Sequence, residues 1–270
     1  MKTVVFNGKE YAKRIEDEVA QKVRDLKNDF DITPKLVSIL VGKNVSSVLY
    51  TKLKKQAAQR VGVKFKIKKF NSNTKASEIM KYITQNNLDD KTHGTMVQLP
   101  LPANLAQSTK HIVQSIAENK DVDGLREDRG FVHPTVKAIL SVLDIAVFSG
   151  KEKIVVVGSK GMVGSKLIKN YEAVGVDKNT KNLEKITKSA DILISCTGVP
   201  NLIKKNMVKE GVLIVDVGAP KGDVDKGTYK KAKFVTPVPG GIGPVGISYL
   251  LENLAQAAYN QAITHTNQVS

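Results

Sequence analysis

Tyr50 and Lys54 lie four residues apart in NVSSVLYTKLKKQAAQRVG, residues 44–62. On a helix that spacing stacks a phenol and an ammonium on one face. Leu49, Leu53 and Ala57 recur every four residues and predict a buried stripe. The Tyr50/Lys54 face flanks that stripe, while Lys52 and Lys55 point toward water. An ammonium at the margin of a core has its pKa lowered by burial and can exchange protons near neutral pH. A surface lysine snorkelling past a tyrosine gives the same spacing. A second candidate is Gln98, near the end of the strand-like TMVQLP, 95–100. Ligands of open parallel sheets bind beyond such ends. An amide there both donates and accepts, which suits a lysine or a heterocycle, although a strand ending on a polar residue gives the same pattern. In KDVDG, 120–124, a carboxylate can pair with the amino and ring N–H groups of a pterin-type base, but acidic turns are common. The last candidate is KIVVVGSKGMVG, 153–164, an apolar strand running into Gly158, Gly161 and Gly164. Glycines let a chain approach a pyrophosphate, and the next helix offers free N–H groups. The spacing G-x-x-G-x-x-G departs from the usual fingerprint.

The elements that must position these residues alternate. Ser46 or Ser47 can cap the first helix and Gly62 can end it. Residues 10–28 form an amphipathic helix through Ile15, Val19, Val23 and Leu26. Residues 36–42 read as a buried strand, 63–70 as a strand with one wet face, 74–86 as a helix and 95–100 as a strand. That order implies a parallel α/β layer. A short helix at 109–117 and a linking helix at 135–146 follow. Strands at 171–176, 192–198, 212–218 and 234–238 continue the glycine-rich unit as a dinucleotide-binding sheet, and 247–264 is helical.

A chain of 270 residues, 41 % hydrophobic, holds two ordinary domains. No apolar run approaches the roughly 18 residues of a membrane span, and the N-terminus lacks a signal-peptide core. Cys196 is the single cysteine, so no intramolecular disulfide forms. A soluble, cytoplasmic protein is expected. The net charge of +16 comes from dispersed lysines, aromatics are 5 %, and no nucleic-acid motif is present, so a solvated surface is favoured over a nucleic-acid partner. No Cys/His cluster points to a catalytic metal.

Ser47-x-x-Tyr50-x-x-x-Lys54, HGTMVQLPLP at 93–102, KDVDG at 120–124 and PVPGGIGP at 237–244, in that order, resemble the bifunctional methylenetetrahydrofolate dehydrogenase/methenyltetrahydrofolate cyclohydrolase family over nearly the whole chain. The resemblance implies two α/β domains flanking a cleft. The first, 1–134 plus 247–270, would be the folate-binding catalytic domain. The second, 135–246, would be a Rossmann-type domain with a mostly parallel sheet. It implies oxidation of 5,10-methylenetetrahydrofolate with NADP, hydrolysis to 10-formyltetrahydrofolate, and a homodimer. Lys54 would be the general acid/base, Gln98 would bias it, Tyr50 would stack on the folate and Asp123 would grip the pterin. Ser47, Leu99, Pro100, Pro239, Gly240 and Gly241 would complete the substrate site. Gly158, Ser159, Lys160, Gly161, Val163, Gly164, Asp177, Lys178, Thr197, Gly198 and Gly218 would hold the nucleotide.

Four departures matter. The family has G-R-S after its first cofactor strand, where this chain has Ser159 and then Lys160. Its arginine is expected to hold the NADP 2′-phosphate. Asp177 ends the second strand, where a carboxylate suits the ribose 2′-OH of NAD and repels a phosphate; Lys160 and Lys178 could neutralise it. Weakened NADP preference, with NAD use, is therefore expected. The segment after Gly164 is shorter than in the family, and LREDRGFVHP, 125–134, replaces its usual loop. The end of the last motif reads Gly243-Pro244-Val245-Gly246 without the usual threonine. A monofunctional or degenerate relative with altered cofactor use, or another two-domain nicotinamide dehydrogenase, is the alternative reading.

Overall fold

The computed structural model describes residues 2–126, 130–146, 149–170 and 172–269. The chain divides into two units, residues 13–134 with 247–270 and residues 1–12 with 135–246. A two-residue strand, β1 (Val4–Val5), leads into α1 (Gly8–Phe30). Ile15, Val19, Val23 and Leu26 of α1 are all buried, as their spacing requires.

In the first of these units, three strands form a parallel sheet: β2 (Lys35–Val41), β3 (Lys64–Phe70) and β4 (Gly94–Val97), in the order β3-β2-β4. Two crossover helices, α2 (Val45–Arg60) and α3 (Ala76–Asn87), connect them. The central strand β2 is buried along nearly its whole length, hence its continuous Leu-Val-Ser-Ile-Leu-Val run. Edge strand β3 carries Lys64, Lys66 and Lys69 toward water, while the half-buried Lys68 lies over the Phe70 and Tyr82 rings. Its partly buried Phe70 joins a core with Val37, Ile39, Ile79, Ile83 and Val97. Two short turns of 3-10 helix and α4 (Thr109–Gln114) follow, the helix being shorter than the 109–117 predicted.

The other unit starts from α5 (Pro134–Ile145). It continues with β5 (Ile154–Val157), α6 (Met162–Asn170), β6 (Val174–Val176), α7 (Leu183–Lys188), β7 (Ile192–Ser195), β8 (Val212–Asp216) and β9 (Ala232–Thr236). The sheet order is β1-β9-β8-β7-β5-β6, with every pairing parallel. Its sixth strand is β1, whose two residues are too few to give a periodic signal. This pairing brings residues 1–12 into this unit, where the sequence assigns them to the first domain. Strand β6 is half the length predicted from 171–176; Tyr171 lies outside the described residues, as do 127–129 of the unusual loop. The last helix, α8 (Ile242–Val269), starts five residues earlier than predicted. Pro244 is in its first turn, where a missing N–H costs no helical bond. Among the described residues no helix is long and apolar enough to cross a membrane.

Candidate active site

Helix α2 begins at Asn44, whose side chain accepts from Ser47 N at 3.0 Å, so Asn44 and not Ser46 or Ser47 is the cap. It ends before Gly62, at φ +79°. Its buried face also differs from the apolar periodicity. Leu49 and Leu53 are 41 % and 38 % exposed, whereas Ser47, Thr51, Lys54, Ala57 and Ala58 are buried. Spacings of four, three and four place Ser47, Thr51, Lys54 and Ala58 on one face. The polar atoms of that face are paired inside the protein. Thr51 Oγ1 donates to Ser47 O at 2.8 Å, and Ser47 Oγ donates to Leu99 O at 3.3 Å.

Lys54 therefore sits within a wall, 9 % exposed, rather than at a margin. Its Nζ donates to Gln98 Oε1 at 3.2 Å and lies 3.7 Å from Met96 Sδ, a weak acceptor. Removing an ammonium from water costs several kcal/mol unless the site compensates it. Burial accordingly lowers the Lys54 pKa, and the Asp123 charge opposes that fall. This geometry decides between the two sequence readings: the amine is not snorkelling. Gln98, just past β4, donates from Nε2 to Leu99 O at 3.2 Å, which keeps its oxygen on Lys54. Tyr50 is half-buried, and burial raises its pKa. Pro100 is exposed.

The KDVDG loop separates its two acids by burial. Asp121 is 2 % exposed, and its Oδ2 accepts from Arg126 N at 2.8 Å. Asp123 remains half-buried, and its charge reaches Lys54. Lys120 is buried and donates to Asn86 O, Asn87 O and Asp89 O at 2.9–3.0 Å. A cation at the end of α3 satisfies carbonyls that the helix leaves open and matches its dipole. Arg126 Nη1 does the same beyond α4, donating to Gln114 O and Ile116 O at 2.6 and 2.5 Å. Gly124 has φ +57°, and a Cβ there would lie 2.4 Å from Phe131 O.

In the nucleotide unit the glycines form a cradle. Gly158 has φ +90°, and a Cβ on it would meet Cys196 O at 2.8 Å. A Cβ on Gly164 would fall 2.2 Å from Gly158 O, so α6 packs directly on the turn. That close approach of strand, turn and helix N-terminus is what a dinucleotide pyrophosphate requires, and the residues fit such a ligand. Ser159 Oγ donates to Val176 O at 3.2 Å. Lys160 forms an ion pair with Asp177 at the end of β6, and this pairing comes first among the causes that lower the Asp177 pKa. Val163 is half-buried and Lys178 is exposed.

Two buried acids missed by the sequence reasoning hold the neighbouring loops. Asp223 Oδ2 accepts from Ser195 Oγ, Thr197 N and Thr197 Oγ1 at 2.7–2.9 Å. Asp216 accepts from Gly218 N, Asp223 N and Val224 N at 2.9–3.0 Å. Burial raises the Asp216 pKa. An acid closing the apolar run VLIVD was the available signal. Gly198, at φ +68°, is exposed beside Thr197. Gly241 is needed by the fold itself, since its Cβ would meet Pro237 O at 2.5 Å, whereas Gly240 has φ +104° and open space around it; Pro239 is exposed.

A family model described as "Tetrahydrofolate dehydrogenase/cyclohydrolase, catalytic domain" matches residues 6–123, and its partner, "Tetrahydrofolate dehydrogenase/cyclohydrolase, NAD(P)-binding domain", matches 134–262. The chain belongs to the tetrahydrofolate dehydrogenase/cyclohydrolase family. It is a bifunctional dehydrogenase/cyclohydrolase with an NAD(P)-binding second domain. The bifunctional protein FolD of Bacillus velezensis is 37 % identical, over 96 % of this chain and 98 % of its own. Among solved structures, the bifunctional FolD enzyme of Campylobacter jejuni is 33 % identical, with a TM-score of 0.87 over 96 % of this chain and 99 % of that one. The Trypanosoma brucei FolD, solved with NADP cofactor and an inhibitor, is 27 % identical, with a TM-score of 0.88 over 97 % and 99 %. In this dehydrogenase/cyclohydrolase, Lys54, Gln98 and Asp123 fall in or beside the part that matches the catalytic domain, and the glycine cradle falls in the NAD(P)-binding part.

Proposed function

We propose that the chain oxidises 5,10-methylenetetrahydrofolate to the methenyl form and hydrolyses that product to 10-formyltetrahydrofolate, with Lys54 moving the protons. The observation that carries this reading is a buried ammonium within 3.2 Å of a fixed amide oxygen, its pKa drawn down by burial. Water adds to the bridging carbon of the methenyl cation. Neutral Lys54 takes a proton from that water and returns it to N5 as the C–N5 bond breaks, with one proton released to solvent. Gln98 aims Nζ and favours its charged state. Asp123 grips the pterin, and Tyr50 stacks on the folate and orients it. For the oxidation, the bound nicotinamide nucleotide serves as the two-electron acceptor. Gly158, Ser159, Lys160, Gly161, Val163 and Gly164 hold its phosphates, with Thr197, Gly198 and Gly218 at the strand ends beyond.

The decisive measurement is Lys54→Ala in a two-part absorbance assay, following nucleotide reduction and then acid conversion of the product. Loss of cyclohydrolase turnover in a normally folded variant is expected. Unchanged turnover would remove Lys54 from the mechanism.

The nucleotide preference we assign is weakened for NADP, with NAD accepted, because a carboxylate at the end of β6 and a serine in place of the arginine both disfavour a 2′-phosphate. A strong NADP preference in paired rate measurements defeats this. The chain acts as a homodimer in the cytoplasm. Exposed Val45, Val48, Leu49 and Leu53 on α2 give a second copy an apolar face to cover. Leu49→Glu should yield monomers by sedimentation; a wild-type monomer overturns the assignment.

A further inference from the structure

We propose that Asn253, on the last helix, is a positioning residue that fixes the backbone from which Asp123 projects, by clipping together the two arms of the acidic loop. The proposal rests on the roles given to Lys54 and Asp123 above.

Asn253 is 4 % exposed and reaches the loop from more than a hundred residues away in sequence. Its Nδ2 donates to Val122 O at 2.9 Å and to Val132 O at 3.0 Å. Both protons of one amide are thus given to carbonyls on opposite arms. A carbonyl buried without a donor is destabilising, so the clip is not idle. Val122 is the residue before Asp123, and fixing its carbonyl fixes the peptide plane from which Asp123 projects.

The same helix sets the loop against the strand that presents Gln98. A Cβ on Gly94, the first residue of β4, would fall 2.7 Å from Leu254 Cδ1 and 2.9 Å from Val122 Cγ2. Gly94, Val122 and Leu254 therefore close on one another, and β4 runs from that contact to Gln98. Lys120 anchors the entry of the loop on the carbonyls beyond α3. The charge bearing on Lys54 is that of Asp123. Among the described residues, Lys54 Nζ has Gln98 and Met96 as its polar partners, both uncharged, and Ser47 and Thr51 share its buried helix face.

The test compares Asn253→Ala, Asp123→Asn and their combination in the cyclohydrolase pH profile. Asp123 raises the Lys54 pKa, so neutralising it should move the Lys54 limb toward acid. Asn253→Ala should move the limb the same way by less, and lower kcat/KM about ten- to hundredfold. Added to Asp123→Asn, it should move the limb no further. A lower Tm with an unmoved limb makes Asn253 merely structural and overturns the proposal. An equal shift in the Asp123→Asn background also overturns it, since the effect would not pass through Asp123. If Asp123→Asn itself leaves the limb in place, the Lys54–Asp123 reading falls and the proposal with it. Should Asn253→Ala fail to fold, Asn253→Ser, which keeps one donor, is read by the same criteria.

Discussion

Both candidate sites lie just beyond the C-terminal ends of parallel strands, yet they are built in opposite ways. Past β4 the chemistry lies in side chains pressed into a wall: Lys54, Gln98 and Asp123, with Ser47 and Thr51 filling the face around them. Past β5 the site consists of side chains that are missing, since Gly158 and Gly164 leave room that backbone atoms already half fill. The first kind of site should survive removal of atoms and lose its reaction. The second should retain all its chemistry in principle and tolerate no added atom.

Lys54→Met tests the first half most severely. A thioether fills the space without a proton, so cyclohydrolase turnover should fall by about 10²–10⁴-fold, a general acid/base contribution. Stability should rise. The folded pKa of Lys54 lies below its ordinary 10.5 because of burial, so the folded state resists the proton that the unfolded chain binds. Below the folded pKa the full penalty applies; it is relieved as pH climbs through that value toward 10.5. The advantage of Lys54→Met in urea titrations should therefore be largest below the folded pKa of Lys54 and shrink as pH rises toward 10.5. A variant that is both active and no more stable would erase the contrast between the sites. Gly164→Ala tests the second half. Its Cβ would be 2.2 Å from Gly158 O and 2.8 Å from Gly158 C, backbone atoms that cannot swing aside. Overpacking of this kind costs about 1–3 kcal/mol, and nucleotide binding by titration calorimetry should be lost. Intact binding would mean that the cradle is not where the phosphates go.

This difference also governs what could be read from the sequence. The alternation of strand and helix, the buried stripe of α1 and the glycine turn were all legible, because each depends on local periodicity or on a residue with special backbone freedom. The buried face of α2 was not. Leu49 and Leu53 obey the apolar rule in sequence but lie 41 % and 38 % exposed, while a lysine and two hydroxyl residues go inside. Ser47 and Lys54 donate to Leu99 and Gln98, and no spacing within the helix encodes partners that far along the chain. Strand β1 escaped for a different reason: two residues carry no period, and only β9 makes them a strand. Asp223 looks like an ordinary loop acid, and Asp216 like a polar strand end, until the amides they accept from are seen.

Asp177 adds a side chain to the glycine-built site and sharpens the comparison, because its effect should be on selectivity alone. It holds Lys160 in an ion pair. Asp177→Asn removes the negative charge and releases that lysine toward a 2′-phosphate. The ratio of kcat/KM for NADP over NAD should rise about tenfold, or ~1.4 kcal/mol, with cyclohydrolase turnover unaffected. A fixed ratio would separate Asp177 from nucleotide choice.

The smallest effect is expected at the other end of β4, where His93 precedes Gly94. Its backbone N–H donates to Lys35 O at 3.0 Å, and its Nδ1 accepts from Lys35 N at 3.1 Å, which requires a neutral ring. Burial, then the charges of Lys120 and Lys35, push its pKa down to about 4, against the pull of Asp89. The unfolded chain takes up the proton near 6.5, the folded chain only near 4, so stability is lost as pH falls between those values. His93→Gln keeps an acceptor but cannot bind the proton. Its urea midpoint should fall less than that of the wild type between about pH 7 and about pH 4.5, while the Lys54 limb of the cyclohydrolase profile stays in place. Movement of that limb would mean that the two ends of β4 communicate, and that the catalytic wall extends through the strand rather than ending at Gln98.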